Sequence, residues 1–359
     1  MIDVFALLRE AKDLRASDLH LVVGSPPMVR VDGQLQALDD HGELETDDVN
    51  TAFRRMTSPT QQEEYQTSLE LDFGMELPDV GRLRCNAAQQ RGHISFAIRL
   101  LPAQVPTIDE LELPGIYKEL ALRHHGLVVA SGPTGSGKST SLATMIQHIN
   151  THRTCHVVTI EDPIEYTHRN IKSAITQRQL GSDTLSFPGA LRHVLRQDPD
   201  VILVGEMRDL ETAHAVLTVA ETGHLVLSTG HATGAPEAID RIIGLFPPAQ
   251  RYLAQVRLAA TLVAILGQTL VPRAHGTGRI AAVEIMLGTP AVKNLVREGK
   301  EHQLHNVIRT STKQGMMTMD QSLAKLYAQD TISMETLLEY AHNRDEVEEI
   351  VGRRLTGAF

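Results

Sequence analysis

The stretch LVVASGPTGSGKSTSL, residues 127–142, restricts the fold more than any other part of this 359-residue chain. An aliphatic run enters a turn containing Gly132, Gly135 and Gly137, and TSLATMIQHIN follows with helical character. A strand that apolar is buried on both faces, which requires neighbouring strands and helices to cover it. The turn itself, Gly132, Pro133, Thr134, Gly135, Ser136, Gly137, Lys138 and Ser139, fits GxxxxGK[ST] at every position. Glycines let backbone N–H groups turn inward around phosphates, and the helix N-terminus behind them adds positive potential. In such a loop Lys138 reaches the β- and γ-phosphates of ATP and Ser139 holds Mg2+, with Thr140 next in line. Nucleotide binding follows from the loop; the work done with it does not.

The flanking sequence extends the α/β expectation. Buried-looking strands at 126–131, 156–161, 200–205 and 224–229 alternate with helical FPGALRHVLRQ and DLETAHAVLTVAET, the pattern of a mostly parallel sheet. Upstream, residues 1–100 read as a smaller mixed α/β unit. It has an opening helix, then SDLHLVV and PMVRVDGQLQAL as two alternating stretches around GSPP. A helical segment from Asp47 to Tyr65 with an internal start at Thr57-Ser58-Pro59 follows, then strands GRLRCNAAQQ and HISFAIRLL. Three prolines in PAQVPTIDELELP mark residues 101–113 as a linker, leaving a core at 114–290 and a helical region at 291–359.

Charge and cysteine usage exclude several classes. Lys plus Arg number 34 against 44 Asp plus Glu, a net charge of −10, and no basic stripe interleaved with aromatics is visible, so nucleic acid is disfavoured as a partner. Two cysteines, Cys85 and Cys155, in no CxxC pair, leave neither a disulfide scaffold nor a four-cysteine zinc module. The N-terminus carries Asp3, Arg9, Glu10, Lys12 and Asp13 where a signal peptide needs an apolar core, and the longest apolar run, LAATLVAIL, has nine residues. A cytoplasmic location is expected, with any membrane association made through a partner.

Carboxylates at strand exits supply the candidate chemistry. VILVGEMRD ends its apolar run in Glu206, and TIEDPIEY sets Glu161, Asp162 and Glu165 after another strand. Such groups lie on the ligand side of a parallel sheet, where they orient water or assist a metal ion. Of the three, Glu161 is favoured, and solvent can account for Glu165. His224 and His231 bracket one strand, which suits either ordinary surface histidines or a link between phosphate and motion. His148, His152 and Cys155 imitate a metal-binding spacing but have no matching ligands elsewhere, so solvent-facing side chains are expected. Arg82, Arg84, Arg91 and Arg99 recur on two strands of the first unit, as a solvated face or as an arginine finger reaching ATP.

Taken together these segments resemble the secretion-superfamily ATPases, and within them the PilT-type retraction ATPases of type IV pili. ASDLHL, the phosphate loop, TIEDPIEY (the Asp box), VILVGEMRDLETAHAVLTVAETGHLV (Walker B and the start of the His box) and GTPAVKNLVRE carry the likeness. The resemblance implies a PAS-like N-terminal domain, a RecA-like ATPase domain and a homohexamer acting on an inner-membrane pilus platform protein. It makes Glu206 the glutamate that polarises the attacking water and Glu161 the acid near Mg2+. It assigns His224 and His231 to the sensing of nucleotide state, and Arg84 and Arg99 to nucleotide contacts within the ring. Two departures stand out: GHATGA replaces a box that usually ends like LHTNSA, and Val292, Lys293 and Val296 depart from AIRNLIRE. Other readings are a related secretion or pilus-assembly ATPase, a nucleic-acid motor of RecA-like build, and a regulatory subunit with negligible turnover.

Overall fold

In the computed structural model, which describes residues 2–31, 33–101, 104–275, 278–344, 346–347 and 351–352, the chain forms two compact units. One holds Met1–Val105 together with Pro163–Thr167; the other holds Pro106–Asp162 and His168–Phe359. Each is described by itself.

The first unit is a six-stranded antiparallel sheet with helices against it. Asp3 accepts the N–H of Phe5 and starts α1 (Val4–Asp13), whose buried Val4, Leu7, Leu8 and Ala11 follow the helical repeat. The strands are β1 (Asp18–Leu21), β2 (Met28–Val31), β3 (Gln34–Ala37), β4 (Glu70–Leu77), β5 (Gly81–Gln90) and β6 (His93–Leu100), in the order β3-β2-β1-β6-β5-β4. Between β3 and β4 lie α2 (Thr46–Met56) and α3 (Pro59–Ser68), the latter started by a Ser58–Gln61 capping box. Leu83, Cys85, Ala87, Phe96 and Ile98 face the core, with the Phe53 ring tilted against those of Tyr65 and Phe96 at 4.8 and 5.9 Å. Burial pushes the Cys85 thiol up to about 12, which makes it inert. Two expectations change here. PMVRVDGQLQAL is a hairpin of two strands paired Val31 to Gln34, and ELDFGMEL forms β4 although its alternation is broken by Gly74 and Met75.

The second unit is built on a seven-stranded sheet. Its elements are α4 (Ile116–Ala121), β7 (Gly126–Ser131), α5 (Lys138–His152), β8 (His156–Glu161), β9 (Ala174–Gln179), α6 (Phe187–Val194), β10 (Val201–Val204), α7 (Leu210–Glu221) and β11 (Leu225–Gly230). There follow α8 (Ala235–Gly244), α9 (Arg251–Thr261), β12 (Leu262–Pro272), β13 (Arg279–Leu287), α10 (Pro290–Glu298), α11 (Leu304–Thr310), α12 (Met319–Ala328) and α13 (Met334–Tyr340). The order is β13-β12-β7-β11-β10-β8-β9, parallel except for the β12–β13 hairpin. Helices bury both faces, one cluster gathering Ile202, Val204, Val216 and Ile239 and another Val128, Leu142, Ile146 and Leu227. The run LAATLVAIL divides between the end of α9 and the start of β12, a case where apolar character alone did not tell helix from strand. Within PAQVPTIDELELP, Ile108 and Leu113 are buried in the same cluster as Tyr117. No helix among the described residues is long and apolar enough to cross a membrane.

Because neighbouring strands run parallel, every loop that follows one of β7, β8, β10 and β11 leaves the sheet at the same end. The phosphate loop, Glu161, Glu206 and His231 all sit there.

Candidate active site

The loop between β7 and α5 closes against β12. Gly132 has φ +154°, and a Cβ on it would stand 2.2 Å from the carbonyl oxygen of Gln268; one on Gly137 (φ +85°) would stand 2.8 Å from Gln268 Nε2. Only glycine allows so close an approach at these dihedrals. Gln268 is buried, its Nε2 donating to the Ser136 carbonyl and its Oε1 accepting from Ser141 Oγ, both at 2.8 Å. A strand beside the loop thereby sets the loop's curvature. Lys138 Nζ donates to the carbonyls of Gly132 and Pro133 at 2.8 Å each, folding the lysine over the loop. Ser136 Oγ is buried with no hydrogen-bond partner among the described residues. Pro133, Thr134, Gly135 and Ser139 are exposed, and Thr140 is half-buried. An unmatched buried hydroxyl and a lysine folded over a glycine-rich turn form a cradle suited to phosphate.

Glu206 lies two residues past β10, and both of its carboxylate oxygens are engaged. Oε1 meets Arg208 Nε at 2.6 Å, and Oε2 meets His231 Nε2 at 3.3 Å. A carboxylate only accepts, so in this contact His231 carries its proton on Nε2. The Arg208 side chain is 69% exposed, which makes its ion pair weak and replaceable. Thr229 Oγ1 donates to the Gly205 carbonyl and the Met207 N–H donates to the Thr229 carbonyl, so β10 and β11 deliver Glu206 and His231 in a fixed relation.

Glu161, at the end of β8, lies beside the same exit, since a Cβ on Gly205 would stand 3.4 Å from Glu161 Cα. Its Oε1 accepts from Thr159 Oγ1 at 2.6 Å and from Gln177 Nε2 at 3.2 Å. Gln177 Oε1 in turn accepts the N–H of His168. Burial pushes His168 down to about 4; its ring is therefore neutral and gives an Nδ1 proton to Gln147 Oε1. Asp162 is exposed, and Glu165 belongs to the segment that packs with the first unit.

His224 stands apart from the other expected site residues. It precedes β11, and the Gly126 N–H donates to its carbonyl, which puts it at the end of the sheet opposite the phosphate loop. Its Nδ1 lies 3.1 Å from the Val219 carbonyl and 3.0 Å from Thr222 Oγ1, closing the turn after α7. The two histidines bracket a strand, and a strand's two ends are far apart. His148 and His152, at the end of α5, stack with ring centroids 4.0 Å apart, and among the described residues no group of three metal-ligating side chains converges.

In the first unit, Arg84 and Arg99 are directly paired across β5 and β6, and Arg99 is paired with Asp18 and Asp18 with Arg30. Asp18 meets Arg99 Nε at 2.9 Å and Arg30 Nε at 4.0 Å. Burial would raise the Asp18 carboxyl, but the Ser17 hydroxyl and the Arg99 guanidinium outweigh it and hold the group below the usual carboxylate range. Arg99 is thus partly neutralised, while Arg84 has no ion-pair partner among the described residues and sits beside a like charge.

Residues 97–347 match the family described as Type II/IV secretion system protein. The chain is 43% identical over 340 residues to the type IV pilus retraction ATPase PilT of Pseudomonas aeruginosa, covering 95% of this chain and 98% of that one. It belongs to the PilT-type ATPases of the type II/IV secretion family. A twitching motility protein of Neisseria gonorrhoeae is 42% identical over 344 residues, covering 96% and 92%. A crystal structure of the pilus retraction motor PilT with bound ADP superposes with a TM-score of 0.91 at 41% identity, covering 97% of this chain and all of that one. As a PilT-type protein, the chain is an ATPase with an α/β core. Reading the PilT motifs did not reveal Gln268, Gln177 or Arg208; a lone glutamine inside the apolar run LVAILGQTLV was the one available sign of the first.

Proposed function

We propose that this chain is the motor of type IV pilus retraction, coupling ATP hydrolysis to removal of pilin subunits at an inner-membrane platform protein. Its likeness to PilT supports the retraction half of the reading. The catalytic half is carried by the 3.3 Å contact between Glu206 Oε2 and His231 Nε2, on the exits of β10 and β11, of which β11 adjoins the strand that bears the phosphate loop.

In this reading the amides of residues 132–139 and Lys138 take the phosphates of ATP, Lys138 exchanging its two loop carbonyls for phosphate oxygens. The Ser139 hydroxyl, exposed on the first turn of α5, and the Glu161 carboxylate are hard oxygen donors of the kind Mg2+ prefers, and these two would hold it. Bound there, the ion neutralises charge on the β- and γ-phosphates. Glu206 orients and polarises water, and His231 reports the state of that carboxylate. Arg84, with no counter-ion among the described residues, is the better of the two arginines to meet nucleotide in the ring, where Arg99 is held by Asp18. The working arrangement is a cytoplasmic homohexamer that needs no nucleic acid. Each subunit carries a PAS-like domain at 1–100, a linker at 101–113, a RecA-like core at 114–290 and a helical region at 291–359.

Deleting the gene in its host and counting surface pili tests the direction of work. Accumulation of pili that a wild-type copy reverses and a Glu206→Gln copy does not is the expected result. Loss of pili on deletion assigns the chain to assembly instead.

A further inference from the structure

Ser131 is the last residue of β7 and is fully buried. Its hydroxyl donates to the Ala232 carbonyl at 2.8 Å and accepts the Ala232 N–H at 3.1 Å. One side chain that holds both backbone groups of a single residue fixes the peptide planes on either side of it. Those planes set the direction in which His231, the preceding residue, leaves β11. His231 then reaches Glu206. On its other side Ser131 is joined to Gly132, whose carbonyl holds Lys138 Nζ. A buried hydroxyl between the β7 and β11 exits thus joins the phosphate loop to the residue next to His231.

We propose that Ser131 is a positioning residue that couples the phosphate loop to His231, so that a change at Gly132 when Lys138 exchanges its carbonyl partners for phosphate is passed to the Glu206–His231 contact. The proposal rests on the reading that Glu206 and His231 serve hydrolysis. Removing the hydroxyl strands two buried backbone groups on Ala232 and frees the His231 loop. The loop amides and Lys138, which bind phosphate, stay in place. The effect therefore falls on turnover and not on affinity.

The test is a double-mutant cycle on the full-length protein with Mg2+ present, reading kcat and KM for ATP, ADP affinity and melting temperature. Ser131→Ala should lower kcat about tenfold while ADP affinity stays within about twofold, and Ser131→Thr, which keeps the hydroxyl, should recover most of the rate. In a His231→Ala background, Ser131→Ala should cause little further loss, because the route it serves is already broken. Where Ser131→Ala does not fold, Ser131→Cys keeps the volume with a poorer donor and carries the same comparison. The proposal is overturned by a parent-like kcat in Ser131→Ala, by ADP affinity falling in step with kcat, or by an equal fold-loss in both backgrounds. A parent-like Ser131→Ala beside an impaired His231→Ala removes the coupling alone. A parent-like His231→Ala removes the underlying reading of that histidine and the coupling with it.

Discussion

The two ends of the seven-stranded sheet use the same residue types for opposite purposes. At the entry end, His156 donates its N–H to Asp200 Oδ2 at 2.8 Å and sets its ring against the Gln197 carbonyl and Thr176 Oγ1. His224 likewise closes a turn on the Val219 carbonyl and Thr222. Both histidines there satisfy backbone or hydroxyl groups of neighbouring turns and strands. At the exit end a carboxylate is shared by two side chains, Glu206 touching His231 and Arg208, and Ser136 Oγ has no partner among the described residues. The difference shows that strand direction, more than residue identity, makes a histidine or an acid available for chemistry.

The strongest way to break this contrast is Glu206→Gln. The amide keeps the shape and the Arg208 and His231 neighbours but loses the charge proposed to polarise water. Phosphate release should fall by about 10²-fold or more. ADP affinity, which depends on the loop held by Gln268 and Lys138, should change little. Equal release rates in the two proteins would take Glu206 out of catalysis and leave the exit end with phosphate binding alone.

Much of the exit end was legible because its parts are local. The turn at 132–139 and the apolar runs before it carry their own chemistry within a few residues. That His224 and His231 bracket one strand was legible, but which of them shares an end with the phosphate loop depends on the neighbouring strands' direction. Gln268 and Ser131 were invisible for a different reason: their partners lie 132 and 101 residues away in the chain. The hairpin of β12 and β13 was hidden because its apolar run continues without a break from α9. In the first unit, alternation gave β5 and β6, but the row joining Arg84, Arg99, Asp18 and Arg30 depends on register across strands far apart in sequence.

A paired substitution sharpens the comparison at intermediate size. His231→Ala removes the Nε2 contact to Glu206 and should lower turnover by about tenfold, the scale of one hydrogen bond to a charged group, with melting temperature nearly unchanged. His224→Ala removes bonds to Val219 and Thr222, and should leave turnover at the parent value while lowering stability by about 1 kcal/mol in urea unfolding. Reversed outcomes would mean that the entry end takes part in hydrolysis.

The smallest effect lies in Glu284, an exit-end carboxylate that does no proposed chemistry. It stands on β13 opposite Gly267, is 3% exposed, and accepts the N–H of Ala235 at the first turn of α8. Burial raises its pKa above 4.5, the Ala235 bond opposes that rise, and nearby Glu237 adds to it. A carboxyl whose folded pKa is raised holds its proton more firmly folded than unfolded. Its contribution is therefore most favourable below pH 4.5 and is lost as pH rises through that value and on through the folded pKa. Glu284→Gln keeps an acceptor for Ala235 without a charge to bury. At pH 7 it should melt at the same temperature as the parent or a few degrees higher, with the gap closing below pH 4.5. A variant less stable than the parent at neutral pH would show instead that the buried charge is held by the N-terminus of α8, as a helix dipole holds an anion. In that case the exit end would be electrostatically positive beyond the phosphate loop itself, and the contrast between the two ends would extend to the packing that supports them.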